Sequence, residues 1–281
     1  MRADNGSTMD ALFDLTGRVA VITGGSGLLG PSHARAIARH GGIPVLVDIR
    51  YEGAEQCARE IMAKHGVPAC ALRADITDPD SVRALLDQVL TRYGRVDILV
   101  NNAANNPKVE SPGESAWSQV ENFPLAQWNA DIAVGLTGSF LCCQIIGAEM
   151  AKRGKGTIVN LGSYLGVIAP EPRQYRREGL PEHEQPVKPI SYTVVKSAIL
   201  GLTRYLAAYW GERGVRVNAI SPGGVFNGQD EEFVRKLSQR IPMGRMAEPD
   251  ELEGAIIFLV SDASSYVTGA NVIVDGGRVC W

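Results

Sequence analysis

The sequence predicts an α/β fold, a single doubly wound domain built on a parallel sheet flanked by helices. Three observations carry this. Short β-branched runs alternate along the chain with helix-length amphipathic stretches, the order that produces strand–helix–strand crossovers. The strand-like runs are apolar throughout rather than alternating, as expected of strands covered on both faces. The first run, VAVITGGSGLLGPSHARAIA (19–38), breaks into glycines and then turns helical.

The elements follow in order. Val19–Thr23 reads as the first strand, and 31–40 as a helix whose first turn accommodates Pro31. Ile43–Asp48 is a second strand, 53–65 a second helix, and 69–74 a third strand. A helix then starts at Asp78-Pro79, and 96–101 is a fourth strand. Residues 157–161 and 215–220 are two more strands, separated by a long helix over 191–211, and Asn271–Val274 is the last. No internal repeat or linker divides the chain, so one domain spans 1–281. Two segments break the rhythm: 105–123, rich in Pro, Ser, Asn and Glu, and 170–189, charged and proline-rich. Both follow the carboxyl ends of strands, where open α/β sheets bind ligands, and loops of this size usually bind something.

Composition narrows the function classes. With 281 residues, 45% of them hydrophobic, the chain can bury a large core without disulfides or metal staples. The net charge of -3 is spread along the sequence, unlike the basic stripe of a nucleic-acid binder. Five cysteines with no C-x-x-C pair read as inert thiols in a reduced, cytoplasmic protein. The four histidines show no metal-ligand spacing. MRADNGSTMD lacks the apolar stretch of a signal peptide, and no apolar run approaches the ~20 residues of a membrane span. Neither a nucleic-acid nor a membrane partner is therefore expected.

The glycine turn contains Gly25-x-Gly27-x-x-Gly30, the spelling of a dinucleotide-binding fingerprint. Glycines let backbone approach a pyrophosphate, and the helix amino terminus supplies free N–H groups. The second strand ends at Asp48, where a carboxylate can accept both adenosine ribose hydroxyls. That charge would repel a 2′-phosphate, so NAD is expected rather than NADP, although Arg50 two residues on softens the preference. The plainer reading is a tight turn without ligand and an Asp that caps a helix; the position of the turn, after a strand and before a helix, favours the ligand.

Tyr192-Thr-Val-Val-Lys196 places a phenol and an ammonium four residues apart on one helix face. Free Tyr titrates near ~10, so acid–base work near neutrality needs a drop of about 3 units. A nearby Lys⁺ and a positive nicotinamide ring favour phenolate. Tyr192 then exchanges a proton with a substrate oxygen, Lys196 also bonds the nicotinamide ribose, and Ser163, ending the fifth strand, holds the oxygen. Tyr-x-x-x-Lys alone also fits a solvated helix face; its position between a strand ending in Ser and Val-Asn-Ala-Ile-Ser-Pro-Gly raises its weight.

At this point the chain resembles the short-chain dehydrogenase/reductases over nearly its whole length. The matching pieces come in the family's order: Thr23-Gly24 with Gly30, Asp48, Asp75, Asn101-Asn102-Ala103-Ala104, Ser163, Tyr192 with Lys196, Pro222-Gly223, and the ending VTGANVIVDGG. The resemblance implies a Rossmann-like domain with a seven-stranded parallel sheet, a nicotinamide cofactor, and a homo-oligomer, usually a tetramer joined through the long helices. It implies cofactor contacts from Gly24, Ser26, Gly27, Leu28, Leu29 and Gly30 in the first turn, and from Asp48 and Ile49 after the second strand. Asp75 and Ile76 follow the third strand, and Asn102, Ala103 and Ala104 the fourth. Tyr192, Lys196, Pro222, Gly223, Val225 and Asn227 complete the set.

Several positions depart from the family. Its loop is usually T-G-x-x-x-G-x-G; here Leu28 takes the middle glycine's place, so the G-x-G-x-x-G spelling is partly coincidence. The family's Asn in V-N-x-x-G, which supports a water-mediated proton relay, is Gly135 here, within Val134-Gly-Leu-Thr-Gly138. Glycine inside a helix costs ~1 kcal/mol. Ala104 stands where Gly is usual, and Asn227 where Thr commonly bonds the carboxamide. Tyr192 lies 29 positions after Ser163, more than twice the family's usual spacing. The extra residues suggest a lid in which Arg173, Arg176 and Arg177, with Tyr164 nearby, grip an anion through bidentate bonds; a solvated or subunit-packed loop is the plainer alternative. VGLTGSFL, KPISYTVVKSA and SPGGVFNGQD are similar to a subgroup linked to surface-sugar, flagellin-glycan and nonulosonic acid pathways. The expected activity is therefore interconversion of a secondary alcohol and ketone on a phosphorylated, acidic or nucleotide-linked sugar. A 3-oxoacyl reductase or gluconate-type dehydrogenase is an alternative, and a non-catalytic NAD-binding regulator, favoured by Gly135, is another of a different class.

Overall fold

The computed structural model describes residues 9–106, 109 and 116–281. Part of the 105–123 segment, and the amino-terminal residues read above for a targeting signal, therefore lie outside the described residues. Seven strands, β1 (Val19–Thr23), β2 (Ile43–Asp48), β3 (Cys70–Arg73), β4 (Ile98–Asn101), β5 (Gly156–Leu161), β6 (Val215–Pro222) and β7 (Asn271–Val274), form one sheet in the order β3-β2-β1-β4-β5-β6-β7. Every pairing is parallel.

Parallel strands need crossovers, and α-helices supply them. They are α1 (Gly30–Arg39), α2 (Tyr51–His65), α3 (Pro79–Tyr93), α4 (the continuous helix Leu125–Arg153), α5 (Ile190–Trp210), α6 (Glu231–Ser238) and α7 (Glu253–Val260). Strand residues alternate between two cores, which explains the unbroken apolar runs. Ala20 and Ile22 of β1 pack with Ile37 of α1, Ile61 of α2 and Ile256 of α7. Val19 and Val21 face the other way, onto Leu85 of α3, Ile146 of α4 and Trp210 of α5. α3 starts as its sequence suggests: Asp78 accepts from the Asp80 amide at 2.9 Å and Pro79 opens the helix.

The sequence does not mark out α6 and α7 as elements; α4 is expected only as the helix that the resemblance gives Gly135, and it also corrects one expectation. It is long and apolar enough to cross a membrane by length and composition. Cys142, Cys143, Ile146 and Met150 are wholly buried against the sheet, however, so its apolarity belongs to the core. Two wide π turns interrupt it, Ala133–Gly138 and Cys143–Gly147.

Candidate active site

The chain's direction along the sheet reverses between β1 and β4, so a crevice opens outside their carboxyl ends. A cavity of about 510 Å³ lies there. The glycine turn and the loop after β4 are fastened to each other across it. Asn102 Nδ2 donates to the carbonyls of Thr23 (2.9 Å) and Gly24 (3.2 Å), while Thr23 Oγ1 accepts from the amides of Asn102 and Ala103, both at 3.1 Å.

Gly24 has φ +70°, and a Cβ there would stand 2.9 Å from Ala103 Cα; at Gly30 it would stand 2.3 Å from the Gly24 oxygen. The turn is thus closed to side chains and presents backbone to the cavity. At the end of β2, buried Asp48 accepts from the Ser26 amide through Oδ2 and from the Arg50 amide through Oδ1, both at 2.9 Å. Ser26 and Gly30 therefore shape the cavity without lining it, while Gly24, Gly27, Leu28, Leu29, Asp48 and Ile49 line it. So do Asp75, Ile76, Asn102, Ala103, Ala104, Pro222, Gly223, Val225 and Asn227. A backbone cradle at a helix amino terminus, with a carboxylate one strand away, fits a dinucleotide.

At the other end, beside β5, Ser163, Tyr164, Tyr192 and Lys196 meet. A buried polar chain fixes α5 on the sheet: Asn101 Nδ2 donates to Asn160 Oδ1 (2.8 Å), Asn160 Nδ2 to Thr203 Oγ1 (2.9 Å), and that hydroxyl to the Ile199 carbonyl (2.8 Å). Ser191, at the start of α5, donates to buried Asp131 of α4. Lys196 Nζ donates to the Leu161 carbonyl at 2.7 Å and lies 5.7 Å from the Tyr192 ring centroid. Burial pushes the Lys196 ammonium down to about 8. It pushes the Tyr192 phenol up, and the Ser163 hydroxyl opposes that rise.

Gly135 sits in the first π turn of α4 facing α5. A Cβ on it would come within 2.6 Å of Val195 Cγ1, so the branched side chain next to Lys196 occupies the room an asparagine would need. Ser139 Oγ donates to the Gly135 carbonyl at 2.9 Å.

The 170–189 segment borders this end of the cavity. The buried Gln185 amide holds it together, donating to the carbonyls of Arg177 (2.9 Å) and Leu180 (2.7 Å) and accepting from the Arg177 amide (2.8 Å). Gln119 Nε2 donates to the Glu182 carbonyl (2.9 Å), and Ser118 Oγ accepts from the Val187 amide (3.1 Å). The two inserted segments are therefore tied to each other. On its far side the segment meets α6: Lys236 Nζ donates to the Arg176 carbonyl at 2.6 Å, Tyr175 packs on Phe233, and Arg240 pairs with Glu171.

Arg173, Arg176 and Arg177 do not line the cavity, and Arg176 is paired with Glu182 at 2.6 Å. The segment instead contributes Tyr175 and Lys188 to the lining, joined by Asn105, Asn106, Gln229 and Phe233. Sequence reading did not assign these to the site. The signal for Lys188 is its place in the charged 170–189 segment, which the long spacing from Ser163 to Tyr192 marks as an insertion.

The family model described as "short chain dehydrogenase" matches residues 18–174, and one described as "Enoyl-(Acyl carrier protein) reductase" matches 181–278. D-threitol dehydrogenase of Mycolicibacterium smegmatis is 35% identical over 278 residues, covering 96% of each chain. NAD-dependent glycerol dehydrogenase of Listeria innocua is 34% identical over 276 residues, covering 95% of this chain and 96% of that one. Among solved structures, gluconate 5-dehydrogenase of Burkholderia cenocepacia, in complex with NADP and tartrate, has a TM-score of 0.82 at 31% identity, covering 98% and 100%.

Proposed function

The chain belongs to the short-chain dehydrogenase/reductase family and is an NAD(P)-dependent oxidoreductase; from that premise we propose that it interconverts a secondary alcohol and a ketone on a polyol, sugar or sugar acid, with NAD preferred over NADP. The observation that carries this is the convergence of Ser163, Tyr192 and Lys196 at one end of a cavity whose other end holds Asp48. A bound nicotinamide cofactor supplies the hydride acceptor or donor. Tyr192 Oη takes the hydroxyl proton when the alcohol is oxidised and returns it when the ketone is reduced. Ser163 holds the same oxygen, which orients the carbinol carbon. Lys196 adds positive charge beside the phenol and is placed to bond the ribose of the cofactor.

The substrate end offers several hydrogen-bonding side chains, Asn105, Asn106, Gln229 and Tyr175, a lining suited to a guest carrying hydroxyls. The relatives described above are named for threitol, glycerol and gluconate, so we rest the substrate class on these and not on a surface-glycan pathway. An anionic end on the substrate is supported by Lys188, not by the loop arginines. The Asp48 carboxylate supports NAD through repulsion of a 2′-phosphate; the named relatives include enzymes for either cofactor. The exposed aromatics Phe140 of α4 and Tyr205 and Tyr209 of α5 support a homo-oligomer joined through those helices, and the unpaired cysteines support a reduced, cytoplasmic compartment.

Initial-rate absorbance with D-threitol, mannitol, glycerol and gluconate, each with NAD and NADP, tests the reading. Turnover of at least one is expected, with kcat/KM about tenfold higher with NAD, the size of a ~1.4 kcal/mol charge repulsion. Reduction of 3-oxoacyl thioesters with no turnover of any polyol or aldonate ends the substrate class. NADP performing as well as NAD ends the cofactor preference, and a Tyr192→Phe protein that keeps its kcat ends the acid–base assignment.

A further inference from the structure

Most polar side chains at the substrate end of the cavity are engaged by the chain itself. Gln229 uses both ends of its amide on its own loop: Nε2 donates to the Val225 carbonyl at 3.1 Å and Oε1 accepts from the Asn227 amide at 2.7 Å. Asn105 Nδ2 donates to the Ala130 carbonyl at 3.3 Å, and Asn106 Oδ1 accepts from Lys188. Tyr175 is different. It lines the cavity together with Ser163, Tyr164 and Tyr192. Among the described residues its side chain makes a ring contact with Phe233 and no hydrogen bond, and its oxygen keeps accessible surface. Resting on the polyol and sugar-acid reading above, we propose that Tyr175 is a substrate-binding residue. Its hydroxyl bonds a second hydroxyl of the guest, on the carbon next to the one that reacts, so the site selects vicinal diols over plain secondary alcohols.

The chain fixes this phenol from both sides. Pro172 opens a tight turn that ends at Tyr175, whose amide donates to the Pro172 carbonyl at 3.0 Å. Before Tyr175, Glu171 pairs with Arg240; after it, the Arg176 carbonyl accepts from Lys236 Nζ at 2.6 Å. The ring packs on Phe233, with centroids 5.6 Å apart and planes at 50°. Phe233, Lys236 and Arg240 are spaced by three and four residues, so one side of α6 and its continuation grips the segment. A phenol held in this way has little rotamer freedom left to lose when a guest binds.

Burial pushes the Tyr175 phenol up, so near neutral pH it is uncharged and can both donate and accept. The phenols of Tyr164 and Tyr192 act on it electrostatically, which places the three in one neighbourhood. Tyr164 has the Gln174 side chain beside it, and Tyr192 has the Ser163 hydroxyl. Tyr175 is left for the next hydroxyl along the guest. The cavity around it is otherwise apolar, lined by Phe233, Leu237 and Val225. A guest without the second hydroxyl displaces water from the Tyr175 oxygen and replaces it with nothing. A polar group left unpaired in this way discriminates more strongly than a missing apolar contact.

The test compares two alcohols that differ by one hydroxyl, 2,3-butanediol and 2-butanol, on wild type and Tyr175→Phe. The substitution keeps the ring on Phe233 and removes only the oxygen, so the fold is retained. Two readouts are taken. One is kcat/KM with NAD. The other is the affinity of each alcohol for the protein–NADH complex, followed by nicotinamide fluorescence, where no hydride can leave the alcohol. Wild type is expected to favour the diol in both. In Tyr175→Phe the diol-to-butanol ratio should fall about tenfold in both, the upper end of what one neutral hydrogen bond contributes. A ratio unchanged by the substitution overturns the proposal, even if both alcohols suffer together, because the oxygen then serves the protein and not the second hydroxyl. Turnover of neither alcohol strikes the oxidoreductase reading instead. The binding ratio needs no chemistry, so it still decides for or against Tyr175.

Discussion

Replacing Gly135 by Asn, the residue that the family resemblance places there, is expected to destabilise this protein. The conflict is local: a Cβ at 135 would stand 2.6 Å from Val195 Cγ1, and a β-branched valine inside a helix has essentially one rotamer to retreat to. Overpacking of this kind costs about 1–3 kcal/mol. The gain in helix propensity from Gly to Asn returns only ~0.3 kcal/mol. The net loss is about 1–2.5 kcal/mol, a fall in Tm of roughly 2–6 °C for a chain of this size. Val195→Ala alone removes two buried carbons, worth about 1.6 kcal/mol before any cavity term. If Val195 is the obstacle, the two substitutions are not additive. In the Val195→Ala background Gly135→Asn should cost about 0.5 kcal/mol or less, a coupling of about 1–2 kcal/mol. Thermal and guanidinium unfolding of the wild type, both single variants and the double variant close the cycle. A Gly135→Asn protein as stable as wild type, or strictly additive variants, would refute the claim that Val195 excludes the asparagine.

Two further outcomes concern buried titratable groups. His33 is fully buried in α1 with neither ring nitrogen hydrogen-bonded, and burial pushes its pKa down to about 4. The unfolded chain binds this proton from about pH 6.5 downward while the folded chain refuses it until about 4. Stability is therefore lost across that window, by about 3 kcal/mol at its lower end. His33→Leu should remove that share of acid sensitivity, and urea midpoints from pH 7 to 4 that fall in parallel for both proteins would contradict it. Lys196 is the opposite kind of burden: a cation titrating at about 8 in the fold but ~10.4 unfolded costs the folded state up to about 3 kcal/mol at neutral pH, relieved as pH rises from 8 towards 10.4. Lys196→Met should therefore abolish turnover yet raise Tm at neutral pH by the equivalent of about 1–2 kcal/mol, the lost bond to Leu161 offsetting the rest; a lower Tm would contradict the burial penalty.

The sheet was legible because its strands are buried on both faces, which leaves runs such as VAVIT and IPVLVD with no competing interpretation. Helix α4 was legible only through the resemblance that puts Gly135 in a helix, because glycines 135, 138 and 147 and its two π turns blur a 3.6-residue period. The glycine-turn end of the cavity could be read from its residues, since a turn closed to side chains needs glycine and β2 ends in Asp48. The substrate end could not. Arginines in a long loop suggest an anion clamp, but one such side chain, Arg176, is spent on the loop's own Glu182, and which cation reaches the cavity depends on how the loop folds back. Lys188 reaches it because two prolines and Ser118 fix its backbone, and Ser118 lies in another loop at a sequence distance no periodicity reveals.

The two segments that roof the crevice rest on each other, through Gln119 and Glu182, Ser118 and Val187, Asn106 and Lys188. Neither has its shape independently of its neighbour. A graft of either one from a relative would arrive without its footing, so substrate preference in this lineage has to drift through paired changes, with both halves of the roof rewritten together.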